Sequence, residues 1–137
     1  MDLAIERIAN LVPPGSLGVY GVPRGGLCLA VSLSHRLNLP LLLQPAPGML
    51  CVDDIADSGS TMWRLMMEFP GSIFAVWVKR QTADLDLYHA TVEPSKDWIL
   101  FPWEHLGRAY ADEKQYLNES PASRDEVFKT IGAQGFA

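Results

Sequence analysis

The sequence predicts an α/β fold with a central, mainly parallel sheet flanked by helices, and three observations lead there. Strand-like and helix-like stretches alternate between Pro and Gly punctuation, as in strand-helix-strand units. The run Ile73 to Val78 is apolar at consecutive rather than alternate positions, the pattern of a strand covered on both faces. A second apolar run, Met49 to Asp53, stops in carboxylates, which suits an open α/β sheet carrying its site at the carboxyl ends of its strands. With 137 residues the chain has room for one domain, read here as spanning 1–137 with a motif-bearing core over 17–104 and a tail over 105–137.

The elements follow in order. Asp2 is placed to cap a helix whose Ile5, Ile8, Ala9 and Val12 share a face, and Pro13, Pro14 and Gly15 end it. A short strand runs from Leu17 to Val22. After the turn Pro23-Arg24-Gly25-Gly26, the residues Leu27, Ala30, Val31, Ser34 and Leu37 recur at helical spacing, and Leu39 to Leu43 reads as a strand. The loop Pro45-Ala46-Pro47-Gly48 leads to Met49 to Asp53. Ser60 or Thr61 opens a helix carrying Met62, Leu65, Met66 and Phe69, closed by Pro70-Gly71. Beyond the strand Ile73 to Val78 the pattern is irregular as far as Glu104, and the tail reads as a short amphipathic helix around Val127, Phe128 and Ile131.

Composition narrows the function classes. Hydrophobic residues make up 48% and charged residues 20%, so the chain can bury a core. The net charge of -5, with no Lys/Arg stripe, argues against a general grip on nucleic acid, so any anion must be caught locally. No apolar stretch approaches the roughly 20 residues that span a bilayer, and Asp2 and Glu6 spoil a cationic signal-peptide start; a cytoplasmic protein without a membrane partner is expected. Cys28 and Cys51 form no CxxC pair, and His35, His89 and His105 are too far apart for a helical ligand motif, so buried free thiols and no structural zinc are expected.

The chemistry concentrates in Cys51-Val52-Asp53-Asp54-Ile55-Ala56-Asp57-Ser58-Gly59-Ser60-Thr61, where a strand runs into three carboxylates and then into small hydroxyl residues at a helix start. Carboxylates this close repel one another unless a cation or hydrogen-bond donors offset the charge, and Mg2+ on a polyol or phosphate ligand is the natural partner. Ser58, Gly59, Ser60 and Thr61 offer backbone N–H groups, hydroxyls and a helix dipole to a phosphate dianion. A ribose 5-phosphate, with its diol and terminal phosphate, satisfies both halves. Taken singly, Asp57 and Ser60 read as turn and helix caps.

Val52 to Thr61 resembles the phosphoribosyl-diphosphate signature of the type I phosphoribosyltransferases, with Ser58 where Thr is commoner. Upstream, Gly21-Val22-Pro23-Arg24-Gly25-Gly26-Leu27 resembles the diphosphate loop of the purine branch. Downstream, Trp98-Ile99-Leu100-Phe101-Pro102-Trp103-Glu104 resembles the base-binding end of the xanthine-guanine phosphoribosyltransferases. The three motifs stand in the family's order.

The resemblance implies the type I phosphoribosyltransferase fold and transfer from phosphoribosyl diphosphate to a 6-oxopurine. It places Asp53 and Asp54 near the sugar diol and Mg2+, and gives Asp57 the purine N7 proton. Asp57, Ser58, Gly59, Ser60 and Thr61 fall on the 5-phosphate, and Arg24, Gly25 and Gly26 on the diphosphate. Ile55, Lys79, Trp98 and Ile99 fall on the purine, with Lys79 at the 6-oxo group, Trp98 stacking and the Ile99 carbonyl at the 2-substituent; Trp103 is left to packing. Arg80 follows Lys79 where Pro is common, so the local turn is expected to differ. The family commonly assembles into oligomers, and Leu41 to Leu43 is an apolar stretch suited to a second copy. Its long mobile loop before the acidic strand is reduced here to Gln44 to Gly48, leaving little or no hood. Two rivals remain: a nucleotide-sensing or interaction module that keeps the pocket without turnover, and an enzyme of the same fold acting on another base.

Overall fold

The computed structural model describes residues 2–95, 97–101 and 128–130, and they gather into two compact units, Leu3–Pro94 and Met1–Asp2 with Ser95–Ala137. In the larger unit the order is α1 (Asp2–Leu11, most of which lies here), β1 (Val19–Gly21), α2 (Leu27–Leu37), β2 (Leu41–Leu42), β3 (Leu50–Ala56), α3 (Ser60–Glu68), β4 (Ile73–Arg80) and β5 (Tyr88–Glu93). The five strands form one sheet in the order β2-β1-β3-β4-β5, with every neighbouring pair parallel. The α/β reading therefore holds. In the smaller unit β6 (Trp98–Leu100) pairs in parallel with β7 (Phe128–Thr130).

Both faces of the sheet are covered, which is why its central strands lack polar alternation. Cys51, Phe74 and Val76 pack with Met62 and Leu65 of α3 in one cluster. Alternate residues point to the opposite face, and there Val19, Leu50, Val52, Ala75 and Trp77 are equally buried. α1 is tied to α2 by Arg36, whose Nε and Nη2 donate to the two Glu6 carboxylate oxygens at 2.6 and 3.1 Å.

Several elements differ from the sequence reading. Asp2 lies inside α1 rather than capping it. On α2 the buried residues are Leu29, Ala30 and Leu33, while Leu27 and Val31 are 48% and 41% exposed; of the residues that set the helical spacing only Ala30 is buried, because the helix is apolar around most of its girth and the spacing does not choose a face. Cys51 is buried as expected, but Cys28 is exposed on α2. β3 runs on through the acidic pair to Ala56, and β4 through Lys79 and Arg80, because ladder pairing to a neighbour outweighs the low strand propensity of charged residues. β5 lies where no regular element was legible. Phe128 is in a strand, not in the helix expected around Val127 and Ile131; Val127 and Ile131 themselves, with Trp103 and Glu104, lie outside the described residues. Among the described residues no helix is long and apolar enough to cross a membrane.

Two connections shape the site. A parallel crossover ordinarily needs a dozen or more residues. The link from β2 to β3 has only seven, residues 43–49. This link sits at the amino ends of the strands: Gly48 N–H donates to Ser72 Oγ (3.1 Å) just before β4, and Leu17 N–H to Gly48 O (2.9 Å) just before β1. The link from β4 to β5, residues 81–87, is likewise non-helical. Its Ala83, Leu85 and Leu87 pack against the cluster that contains Met62 and Leu65 of α3.

Candidate active site

In a sheet of this order the crossovers leave β1 and β3 in opposite directions, which opens a crevice between the carboxyl ends of those two strands. The loop Pro23 to Gly26 follows β1, the acidic pair forms the last part of β3, and α2 and α3 both start at this end of the sheet. Neither helix has an acidic residue in its first turn, so both positive dipole ends remain uncompensated by their own sequence.

The glycines show how closely the two loops approach. A Cβ on Gly25 would collide with the Asp54 carboxylate, and one on Gly26 would collide with the Val52 carbonyl oxygen and lie 2.7 Å from the Val22 nitrogen. Val22 N–H donates to Val52 O (2.9 Å) and Gly26 N–H to Val22 O (2.9 Å), so the turn is stitched to β3 through its backbone. Arg24 holds φ at 68°, a left-handed conformation that is strained for a side-chain-bearing residue, and its side chain stays exposed at the mouth of the crevice.

Asp53 and Asp54 are only partly exposed. Asp54 N–H donates to Asp53 Oδ1 (2.8 Å) and Ile55 N–H to Asp54 Oδ1 (2.7 Å). Burial, reinforced by the Asp54 charge, holds the Asp53 carboxyl well above the usual carboxylate range, and burial likewise raises Asp54. The pair therefore favours retaining a proton until a cation relieves it. Behind them, burial and then the Asp53 charge push the Cys51 thiol up to about 12, so it is a core residue without nucleophilic use.

Next to the pair, Asp53, Ile55, Ala56, Asp57, Ser58, Gly59, Ser60, Thr61 and Met62 line a pocket of about 110 Å³. Gly59 is the N-cap of α3, with φ at 84° and no side-chain cap, so neither Asp57 nor Ser60 is the cap of that helix. Ser58 Oγ accepts from Ser60 N–H at 3.3 Å and donates to Ser60 Oγ at 3.1 Å, which folds the hydroxyls over the start of the helix. The register sets Lys79 beside Ala56 at the same strand ends. Asp53, Asp54, Ile55, the residues 57–61, Lys79 and the 24–26 loop are thus brought to one end of one sheet, whereas Trp98 and Ile99 belong to β6 in the smaller unit. Among the described residues no cluster of three or more His, Cys, Asp or Glu forms a metal cage.

No family model matches the sequence. A xanthine-guanine phosphoribosyltransferase of Cereibacter sphaeroides is 28% identical over 113 residues, covering 63% of this chain and 68% of that protein. The crystal structure of a purine phosphoribosyltransferase from Pyrococcus horikoshii superimposes with a TM-score of 0.63 at 27% identity, over 76% of this chain and 88% of the other. The chain has the type I phosphoribosyltransferase fold. A xanthine-guanine-hypoxanthine phosphoribosyltransferase from Helicobacter pylori shares the fold, with a TM-score of 0.58 at 19% identity, over 82% of this chain and 92% of that one.

Within this phosphoribosyltransferase fold one partner of a candidate site residue escaped the sequence reading. Arg80 is buried, and its Nε donates to Asp57 Oδ1 at 3.1 Å. The sequence marks it only as a departure from Pro, since an Arg after an apolar strand ordinarily reads as solvated. The segment that follows is also part of the site's support: a Cβ on Gly59 would lie 2.8 Å from Leu85 Cδ1.

Proposed function

We propose that this chain is a purine salvage enzyme that joins a 6-oxopurine to phosphoribosyl diphosphate. The observation that carries this reading is the adjacency, at one switch point, of a partly buried carboxylate pair and a helix start rich in hydroxyls with no side-chain cap, closed from the other side by Gly25 and Gly26. The pocket suits a 5-phosphate at Ser58 to Thr61, and the pair suits the ribose diol. Arg24 and the 25–26 backbone suit the diphosphate, with the fork of a guanidinium matching phosphate oxygens.

In the reaction purine N9 forms a bond to ribose C1′ while the C1′–O bond breaks and diphosphate leaves with the electron pair. The N7 proton passes to Asp57. Lys79, beside Ala56, donates to the 6-oxo oxygen and so disfavours a 6-amino purine. Mg2+ fits a site of two carboxylates without a protein cage, because it is commonly held by one or two carboxylates together with substrate phosphates. Asp53 and Asp54 would hold it, directly or through water, and it supplies charge neutralisation at the diphosphate. Catalysis rests on positioning and on electrostatic support of an oxocarbenium-like transition state.

The test is nucleotide formation from phosphoribosyl diphosphate with guanine, hypoxanthine, xanthine or adenine in the presence of Mg2+. Turnover of the oxopurines with adenine inert is expected. Nucleotide binding without turnover of any base would instead leave a sensing module. Asp57→Asn keeps size and removes the base; turnover is expected to fall roughly 10²- to 10⁴-fold with phosphoribosyl-diphosphate affinity nearly kept, and unchanged turnover would remove Asp57 from the proton path.

A further inference from the structure

We propose that Arg80 is a positioning residue that holds the Asp57 carboxylate in its working orientation; the inference rests on the role given to Asp57 above. The two ends of this ion pair differ sharply: the Arg80 side chain is 5% exposed and that of Asp57 is 60% exposed. The buried end is held by its surroundings, while the solvated end is not.

What the pair does accomplish is to restrict a loop carboxylate. Asp57 is the first residue beyond β3, on a turn, and left alone its side chain would sample several rotamers in water. Arg80 sits level with it, since Ala56 is the register partner of Lys79. Arg80 itself has little freedom. It closes β4 and lies beside the buried Glu93 in the β4–β5 ladder, its carbonyl accepts from Ala83 N–H at 3.0 Å, and Gln81 N–H donates to Glu93 O at 3.0 Å. A rigid donor therefore fixes Oδ1 of a mobile acceptor. Among the described residues Oδ2 accepts no hydrogen bond, so the second oxygen remains for the purine. This is the arrangement of a base oriented by a third group. Because Lys79 and Arg80 are consecutive on one strand, the purine 6-oxo donor and the residue that aims the proton acceptor move as one piece.

The test is a double-mutant cycle on turnover, using Arg80→Lys, Asp57→Asn and both together in the full chain. Arg80→Lys keeps a cation beside Glu93 and loses the Nε–H. It is expected to lower kcat about tenfold, with KM for phosphoribosyl diphosphate within about threefold of wild type, and to cost almost nothing further in the Asp57→Asn background. Arg80→Gln repeats the measurement if the Lys variant does not fold. Additive losses would show that Arg80 meets the substrate on its own account. A loss of thermal stability with kcat intact would reduce it to a structural part; either result overturns the proposal. A wild-type chain that turns over no base would overturn the phosphoribosyl-transfer reading itself and the positioning role with it.

Discussion

At the scale of single residues, Asp53 and Asp54 carry a stability cost that the proposed ligand would relieve. Both carboxyls are raised above their ordinary values chiefly by burial. Their protonated forms favour the fold, so their contribution is fully present below the unfolded value near pH 4 and is lost as pH rises through the raised folded values. Without ligand, thermal stability is therefore expected to fall between about pH 4 and neutrality where these groups ionise. Asp53→Asn should remove much of that slope and raise Tm near pH 7, by roughly 2–8 °C for each kcal/mol relieved, while weakening binding of phosphoribosyl diphosphate with Mg2+. Calorimetric scans across pH in chelator check the first part, and a variant that melts lower at pH 7 would refute it. Lys79 offers a second test. Stabilisation by guanosine or inosine monophosphate should exceed that by adenosine monophosphate, and Lys79→Met should erase the difference while ribose 5-phosphate binding persists; equal shifts by all three nucleotides on the wild type would refute the assignment.

At the scale of elements, the two glycines after β1 make separable predictions because their neighbours differ. Gly26 faces backbone atoms of β3 and of the turn itself, which cannot swing aside, so Gly26→Ala should cost about 1–3 kcal/mol of stability. Gly25 faces a side chain, the Asp54 carboxylate, which can move. Gly25→Ala should keep most of the stability and lose ligand affinity through the displaced carboxylate. Chemical denaturation set beside phosphoribosyl-diphosphate titration separates the two, and identical profiles would show that the glycines serve only the turn. Elements also differ in how much of them was legible. β4 was readable because six consecutive apolar residues suit a doubly covered strand, and α3 because Pro70-Gly71 ends it. The buried stripe of α2 was not, because Leu27, Leu29, Val31 and Leu33 permit two faces and only contact with β1 and β3 chooses between them.

At the scale of the whole molecule, the link between β2 and β3 is anchored to Ser72 and Leu17 at the amino ends of the strands, away from the acidic pair. So short a link leaves little chain to cover the crevice, and closure is what normally keeps water from a reactive sugar centre. Base-independent release of diphosphate from phosphoribosyl diphosphate is therefore expected alongside slow nucleotide formation. Both are measured together in the full chain and in one ending after Gly107. Turnover near about 10 per second without a hydrolytic leak in either would show that an open crevice suffices.

What the sequence by itself determined is local and ordered: an apolar strand that stops in carboxylates, a hydroxyl-rich helix start, two glycines after an earlier strand, and the shortness of residues 44–48. Each follows from steric or charge constraints within about ten residues, so reading along the chain finds it. The tertiary structure alone decided what depends on partners distant in sequence. The carboxyls of the acidic pair are raised because the sheet buries them, and Gly25 must be glycine because Asp54 of another strand lies against it. Arg80 joins the site for the same kind of reason. Nothing near Arg80 in the chain calls for a buried guanidinium, and only the parallel register of β3 and β4 sets Asp57 within its reach.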